Sequence, residues 1–136
     1  MNVVDSLKVK YPGAIAWQFG DTPEMADELA ELVVNGIKTA GCSSLSSFKH
    51  EEEPPTIGGY SIILNSKGEP VCVIRVISMR IIRYCDVDQD LARKEGEGDL
   101  SLRYWMQGHK DFFQREGSFD ESMELVAEEF ELMEVL

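Results

Sequence analysis

Two apolar runs, Tyr60-Ser61-Ile62-Ile63-Leu64 and Val71-Cys72-Val73-Ile74-Arg75-Val76-Ile77, are separated by Asn65-Ser66-Lys67-Gly68-Glu69-Pro70 and restrict this chain more than any other feature. Branched and aromatic side chains fit a pleated, half-buried surface, and the Asn, Gly and Pro between them supply the turn of a hairpin. Both runs are apolar at almost every position, as expected of strands wrapped into a barrel. The second continues from Ser78 toward Tyr84, with Arg75, Ile77 and Met79 alternating against Val76, Ser78 and Arg80. Arg75 interrupts an apolar strand, either as an edge arginine reaching solvent or as one aimed at a phosphate or base edge.

Helical segments flank the hairpin. Thr22-Pro23 is a capped start, Ala26, Leu29, Ala30, Leu32, Val33 and Ile37 recur at helical spacing, and Gly36 offers a left-handed stop. Residues 2–10 form a short helix with Val3, Val4 and Leu7 on one side. Residues 14–19 make a first strand with Trp17 and Phe19 facing the core. Asp86 or Asp88 caps a helix through Lys94. A longer helix covers 100–116 on a stripe of Leu102, Trp105, Met106, His109, Phe112 and Phe113, and Gly117 ends it. Residues 45–57 read as an irregular loop broken by Pro54-Pro55. The single His50 beside Glu51-Glu52-Glu53 is a solvated charge run, since consecutive acids do not converge on one ion.

Two stretches carry possible chemistry. In Asn35-Gly36-Ile37-Lys38-Thr39-Ala40-Gly41-Cys42-Ser43-Ser44 a helix gives way to a polar loop, and Lys38 is the one charged residue. Lys38 either complements the helix dipole or forms the floor of a polar cleft beside hydroxyl groups. In Glu95-Gly96-Glu97-Gly98-Asp99, carboxylates alternate with glycines. That backbone can fold round a cation or bring an acid to Lys38; otherwise Gly98 shapes a turn and Asp99 caps the next helix. His109, on an apolar face, is a hydrogen-bonded core histidine or a general base.

The 136 residues, 43% of them hydrophobic, suit one domain over 1–136. No run is long enough for a membrane helix and no signal-peptide core opens the chain, so the expected location is cytoplasmic. Cys42, Cys72 and Cys85 lack the spacing of a disulfide framework or a zinc knuckle. Cys72 reads as core, and Cys42 as the thiol to watch. A net charge of −12 argues against a loose electrostatic grip on nucleic acid and against a DNA duplex. Arg75, Arg80, Arg83, Arg93, Lys94 and Arg103 nonetheless cluster in sequence, so a local positive cleft for a short or single-nucleotide ligand is expected.

Gly36-Ile37-Lys38-Thr39 resembles the G-x-K-T signature of the ASCH (activating signal cointegrator homology) domain family. Trp17-Gln18-Phe19-Gly20-Asp21, Glu95-Gly96-Glu97-Gly98-Asp99-Leu100-Ser101-Leu102, and Tyr104-Trp105 with His109 and Phe112-Phe113 resemble one bacterial branch of it. The resemblance spans nearly the whole chain. It implies an α+β, PUA-like fold, a small β-barrel with flanking helices and the G-x-K motif at the base of a cleft. It also implies RNA or a modified nucleoside as partner, because members include ribonucleases and an N4-acetylcytidine amidohydrolase. The amidohydrolase pattern has a nucleophilic Thr three residues after the Lys, and here that residue is Gly41.

Residues 123–136 fit both helical and alternating patterns, and because such a barrel needs a closing strand they are read as strand, bulged near Glu128-Glu129. In a ribonuclease or RNA/nucleoside-processing hydrolase, Lys38 would stabilise developing negative charge and Glu97 would act as base or hold a divalent ion, the one cofactor considered. Thr39 and Ser101 would orient substrate. In a non-catalytic RNA-binding or nucleotide-ligand-sensing module, Arg75, Arg83, Arg103 and Tyr104 would set affinity and Lys38 would be a phosphate contact. No metal-binding residues are assigned.

Overall fold

The expected hairpin forms the centre of a five-stranded sheet in a computed structural model that describes residues 2–136. Strands β3 (Tyr60–Leu64) and β4 (Pro70–Arg83) pair antiparallel. The other edge of β4 pairs with β5 (Glu124–Val135), so the ambiguous C-terminal stretch is a strand. Strand β1 (Ile15–Trp17) lies parallel to β3, and β2 (Ala40–Ser44) antiparallel to β5, giving the order β1-β3-β4-β5-β2. The sheet curls into a half-barrel whose edge strands, β1 and β2, do not pair with each other.

Side chains next to each other in sequence enter different clusters. Ile63, Cys72, Ile74 and Phe130 pack with helix α2 (Pro23–Val34), whereas Ile62 and Val73 pack with Leu7 of α1 (Val3–Lys10). Both sheet faces are covered here, which is why the two runs are apolar nearly throughout. A third cluster joins Ala40, Leu125 and Ala127 to α4 (Gln89–Glu95) and to Trp105 and Phe113 of α5 (Leu102–Glu116).

Three sequence expectations are corrected. Ala40–Ser44, read as the opening of a polar loop, is edge strand β2, whose small residues let it lie against β5 with Ala40 fully buried. Residues 45–57 are not irregular throughout, because the Ser44 hydroxyl accepts from the Ser47 amide at 3.1 Å and caps a short helix α3, Leu45–Lys49. The bulge belongs to the partner strand: β5 is regular at Glu128-Glu129, while Val76 and Ser78 pair with Phe130 and Glu129 and leave Ile77 unopposed. A second irregularity, at Met133, lies farther along β5. Among the described residues no helix is long and apolar enough to cross a membrane.

Candidate functional site

The backbone pins Lys38 before its side chain makes any contact. Helix α2 is capped by Thr22, whose hydroxyl accepts from the Met25 amide at 3.1 Å, and it stops where Gly36 turns left-handed at φ +73°. The amides of Ile37 and Lys38 both fold back to the Leu32 carbonyl, at 2.9 and 3.1 Å. Thr39 then ties the chain to two elements, its amide donating to the Lys94 carbonyl (2.7 Å) and its carbonyl accepting from Phe130 (3.0 Å). Lys38 therefore projects inward and is 2% exposed, so it is not a solvated complement to the helix dipole.

Its ammonium has three acceptors: the Glu95 carbonyl at 3.3 Å, Glu95 Oε1 at 3.4 Å and Glu97 Oε2 at 3.2 Å. It also lies 5.4 Å from the centroid of the Phe19 ring. Glu95 is fully buried, with Oε2 accepting from the Trp105 indole at 2.5 Å and Oε1 facing His109 Nε2 at 3.3 Å. The other ring nitrogen, Nδ1, lies 3.0 Å from the Trp105 carbonyl, and the imidazole stacks on the Trp105 ring at 3.9 Å. Both nitrogens of His109 thus face acceptors, which only an imidazolium satisfies.

The result is a quartet of two cations and two carboxylates, in which Lys38 and Glu95 are buried and His109 and Glu97 are partly exposed. Burial disfavours charge on each of Lys38, Glu95 and His109, yet their mutual attraction outweighs it. Lys38 and His109 are raised above their ordinary values by Glu95 and its neighbours, and Glu95 is held far below the carboxylate range by His109 and Lys38. His109 is accordingly a positioning group for Glu95; a general-base role does not fit a nitrogen that already carries its proton.

The glycines of the acidic stretch allow this approach. Gly96 closes α4 at φ +74°, and a Cβ there would come within 2.6 Å of the Ile37 carbonyl oxygen, next to Lys38. A Cβ on Gly98 would come within 2.5 Å of the Tyr104 ring. Side chains at either position would push Glu95 and Glu97 off the lysine. Asp99 does not cap α5 as expected; the Ser101 hydroxyl does, accepting from the Tyr104 amide at 3.1 Å, while Asp99 accepts from the Ser101 amide at 2.9 Å.

Beside the quartet lies a cavity of about 760 Å³. Trp17, Phe19 and Phe48 give it aromatic walls, and β2 contributes from both faces, Cys42 from one and Gly41 with Ser43 from the other. Glu128, opposite Gly41 in the β2–β5 register, also lines it. Glu128 is 9% exposed and makes no hydrogen bond or ion pair with the described residues, and burial raises its carboxyl to about 7. The Cys42 thiol is raised well above its ordinary value by burial and by Glu95, so at neutral pH it is a protonated, weak nucleophile.

Of the residues singled out from sequence, Lys38 and Glu97 meet at this site. Thr39 is exposed, with its hydroxyl donating to the Lys94 carbonyl at 3.3 Å, and Ser101 is the cap of α5; neither lines the cavity. Arg75 lies exposed on β4, donating to the Gly58 carbonyl at 3.2 Å beside the Tyr60 ring, and Arg83 is exposed at the end of β4, where its backbone is in register with Glu124 of β5. Arg103 is exposed on α5, and Tyr104 borders a smaller depression of about 240 Å³ with Glu97 and His109. The expected positive cleft is not found at the large cavity, where two lysines stand against seven glutamates. Sequence reasoning missed Glu128 and the Glu95–His109 pair, although Trp105 and His109, four residues apart, face the same way on a helix.

Glu95, Glu97 and His109 each offer a ligand atom within 4.8 Å of the others, the spacing of a metal site. The donor set does not fit one, because Lys38 already bridges both carboxylates and His109 presents N–H groups where a metal needs a lone pair.

A family model described as the ASCH domain matches residues 15–134. The fold is similar to the ASCH domain from Lactobacillus crispatus JV V101, 34% identical over 95% of this chain and 85% of that one, with a TM-score of 0.84. It is also similar to a protein from Enterococcus faecalis V583, 38% identical over 88% of this chain and 76% of that one, with a TM-score of 0.79. ASCH from Zymomonas mobilis shares the fold at 12% identity over 90% of this chain and 71% of that one, with a TM-score of 0.55. No curated protein matches the chain.

Proposed function

The chain belongs to the ASCH domain family, which is PUA-like and generally RNA-related, and within it we propose a hydrolase acting on RNA or a modified nucleoside in the Lys38 cavity. The observation that carries this reading is the buried ammonium of Lys38 held between Glu95 and Glu97 at the edge of an aromatic-walled cavity. A fixed cation in a water-poor site stabilises negative charge that develops on a carbonyl or phosphoryl oxygen. Glu97, 20% exposed, is the carboxylate of the pair that reaches solvent, so it can take a proton from an attacking water. Glu95, held by Lys38, Trp105 and His109, positions the cation.

The charge of the cavity favours a nucleoside or base-centred substrate over a phosphodiester, because its acids oppose a polyanion. A covalent route on the acetylcytidine pattern lacks its hydroxyl at Gly41. Water is thus the nucleophile in this reading. The second reading, a non-catalytic ligand-sensing module, draws on Thr39 and Ser101 being committed to the backbone and on all three Lys38 protons being engaged.

The test is mass spectrometry of cellular RNA and nucleosides incubated with the protein, Glu97→Gln and Lys38→Ala, with and without chelator. Products that form with the wild type, persist in chelator and vanish in Glu97→Gln support the hydrolase, whether they are RNA fragments or bases stripped of an acyl group. RNA and nucleosides unchanged in every tube overturn it in favour of the binding module.

A further inference from the structure

The large cavity holds more acids than its lysine network uses. Glu95 and Glu97 are committed to Lys38, but Glu128 and the exposed Glu51, Glu52 and Glu53 make no ion pair among the described residues. Glu128 stands apart from the other three by its burial. The residue is 9% exposed and has no hydrogen-bond partner among the described residues, yet its carboxyl oxygens keep access to the cavity, since the one fully buried side-chain polar atom left unpartnered is the Trp17 indole nitrogen. Its β2 partner, Gly41, has no side chain to cover it, and a Cβ there would meet only the Phe19 ring, at 3.7 Å.

A carboxylate in such a place lacks a counter-charge, and the walls around it suit an organic one. Trp17, Phe19 and Phe48 line the cavity, and the Phe19 ring already has a cation, Lys38 Nζ, 5.4 Å from its centroid. A metal ion gains nothing from aromatic walls, whereas an alkylammonium pairs with the carboxylate and lays its methylenes on the rings. Glu51, Glu52 and Glu53 are consecutive and do not converge on one ion, but they can pair with charges spaced along a chain. We infer that this cavity binds an aliphatic polyamine, with one terminal ammonium between Glu128 and the aromatic wall and the remaining cationic groups against Glu51 to Glu53. The inference goes beyond the hydrolase reading and does not depend on it. Burial raises the Glu128 carboxyl to about 7, and a bound ammonium supplies the charge that lowers it, so binding at neutral pH expels a proton. The other titratable groups on the cavity are Lys38, Glu95 and Glu97 of the network, the protonated Cys42 thiol, Lys8, His50, Glu116 and the three consecutive glutamates.

Isothermal titration calorimetry of the full chain at low salt with spermidine, butylamine and hexanediol tests it. Spermidine binds at one site per chain, butylamine about tenfold more weakly or worse, and the uncharged diol not measurably. Glu128→Gln, which keeps the shape and removes the charge, weakens spermidine about tenfold, and Glu52→Gln with Glu53→Gln weakens it about fivefold. Glu124→Gln with Glu131→Gln removes as much charge from exposed positions of β5 outside the cavity and changes the affinity less than about twofold. The heat of binding at neutral pH depends on the buffer in the wild type, which reports the released proton, and does so less in Glu128→Gln. Equal weakening in the β5 control would show attraction to the acidic body as a whole and overturn the site, as would spermidine binding unchanged in Glu128→Gln. Butylamine binding as tightly as spermidine overturns the polyamine assignment. Absence of spermidine binding overturns the inference whether or not RNA or nucleosides are turned over, and the hydrolase reading then stands or falls by its own test.

Discussion

At the scale of single residues, Glu128 and Lys38 are opposite cases of a buried charge. Glu128 has nothing to offset its burial, so its carboxyl rises from 4.5 to about 7. Below pH 4.5 the group is protonated in both folded and unfolded chains and costs nothing. Between 4.5 and 7 the unfolded chain releases a proton that the folded chain keeps, so stability falls as pH rises, and it levels off above 7. Glu128→Gln removes that cost, and the expected gain at pH 8 approaches about 3 kcal/mol, shrinking to nothing near pH 4; denaturant melts at the two pH values read it. A gain at both would mean that packing is responsible. Lys38 is compensated by Glu95 and Glu97, and its removal leaves Glu95 buried with one cation fewer. Lys38→Met should cost about 3–5 kcal/mol, whereas Glu97→Gln, at a partly solvated carboxylate, should cost less than about 1 kcal/mol while abolishing turnover. Loss of stability in both variants to the same degree would show Glu97 to be as structural as Glu95.

At the scale of elements, the site is made where α2, α4 and β5 converge on residues 37–39, and two glycines with nearly equal φ separate backbone strain from close approach. Gly36 (φ +73°) has open space around a would-be Cβ, while Gly96 (φ +74°) has the Ile37 carbonyl oxygen at 2.6 Å. Gly36→Ala should cost about 1–2 kcal/mol, the penalty of a left-handed alanine alone. Gly96→Ala should cost distinctly more in thermal melts and also impair ligand binding, because it must displace the strand entry that carries Lys38. Equal costs would mean that the loop relaxes freely. The hairpin, the α2 cap and stop, and the α5 stripe were legible in sequence because each rests on local chemistry: branched residues, Thr-Pro, Gly, and a period near 3.6. So were Lys38 and Glu97, one by its place at a helix stop and the other by its glycine neighbours. Strand β2 was not, since small and polar residues become a strand only when β5 offers a partner. Glu128 was hidden for the same reason: alternation in residues 123–136 cannot reveal which glutamate the neighbouring β2 backbone will cover. The His109–Glu95 contact joins two helices, and no periodicity within either one encodes it.

Across the whole molecule, charge bears on the choice between the two substrate classes. The net charge is −12, and two of the six basic residues that cluster in sequence are held by acidic partners: Arg93 by Asp90 at 2.6 Å, and Lys94 by Asp90 at 3.2 Å and by Glu129 at 3.0 Å. The half-barrel opens beside β2 onto a cavity lined by seven glutamates, so a phosphate chain entering it would meet like charge with little screening. A ligand held through its base avoids that repulsion and releases few counterions. Binding of a nucleoside should therefore change less than about twofold between 50 and 500 mM salt, whereas a single-stranded RNA gripped through its phosphates would show log affinity falling with a slope of about −0.7 per phosphate contacted. Measuring both ligands across that salt range separates the cases. A steep slope for RNA would place the functional surface on the exposed Arg75, Arg83 and Arg103 instead of in the cavity. A flat slope, with the nucleoside accounting for all of the affinity, is the outcome expected of the proposed cavity in an acidic body with one compensated lysine at its centre.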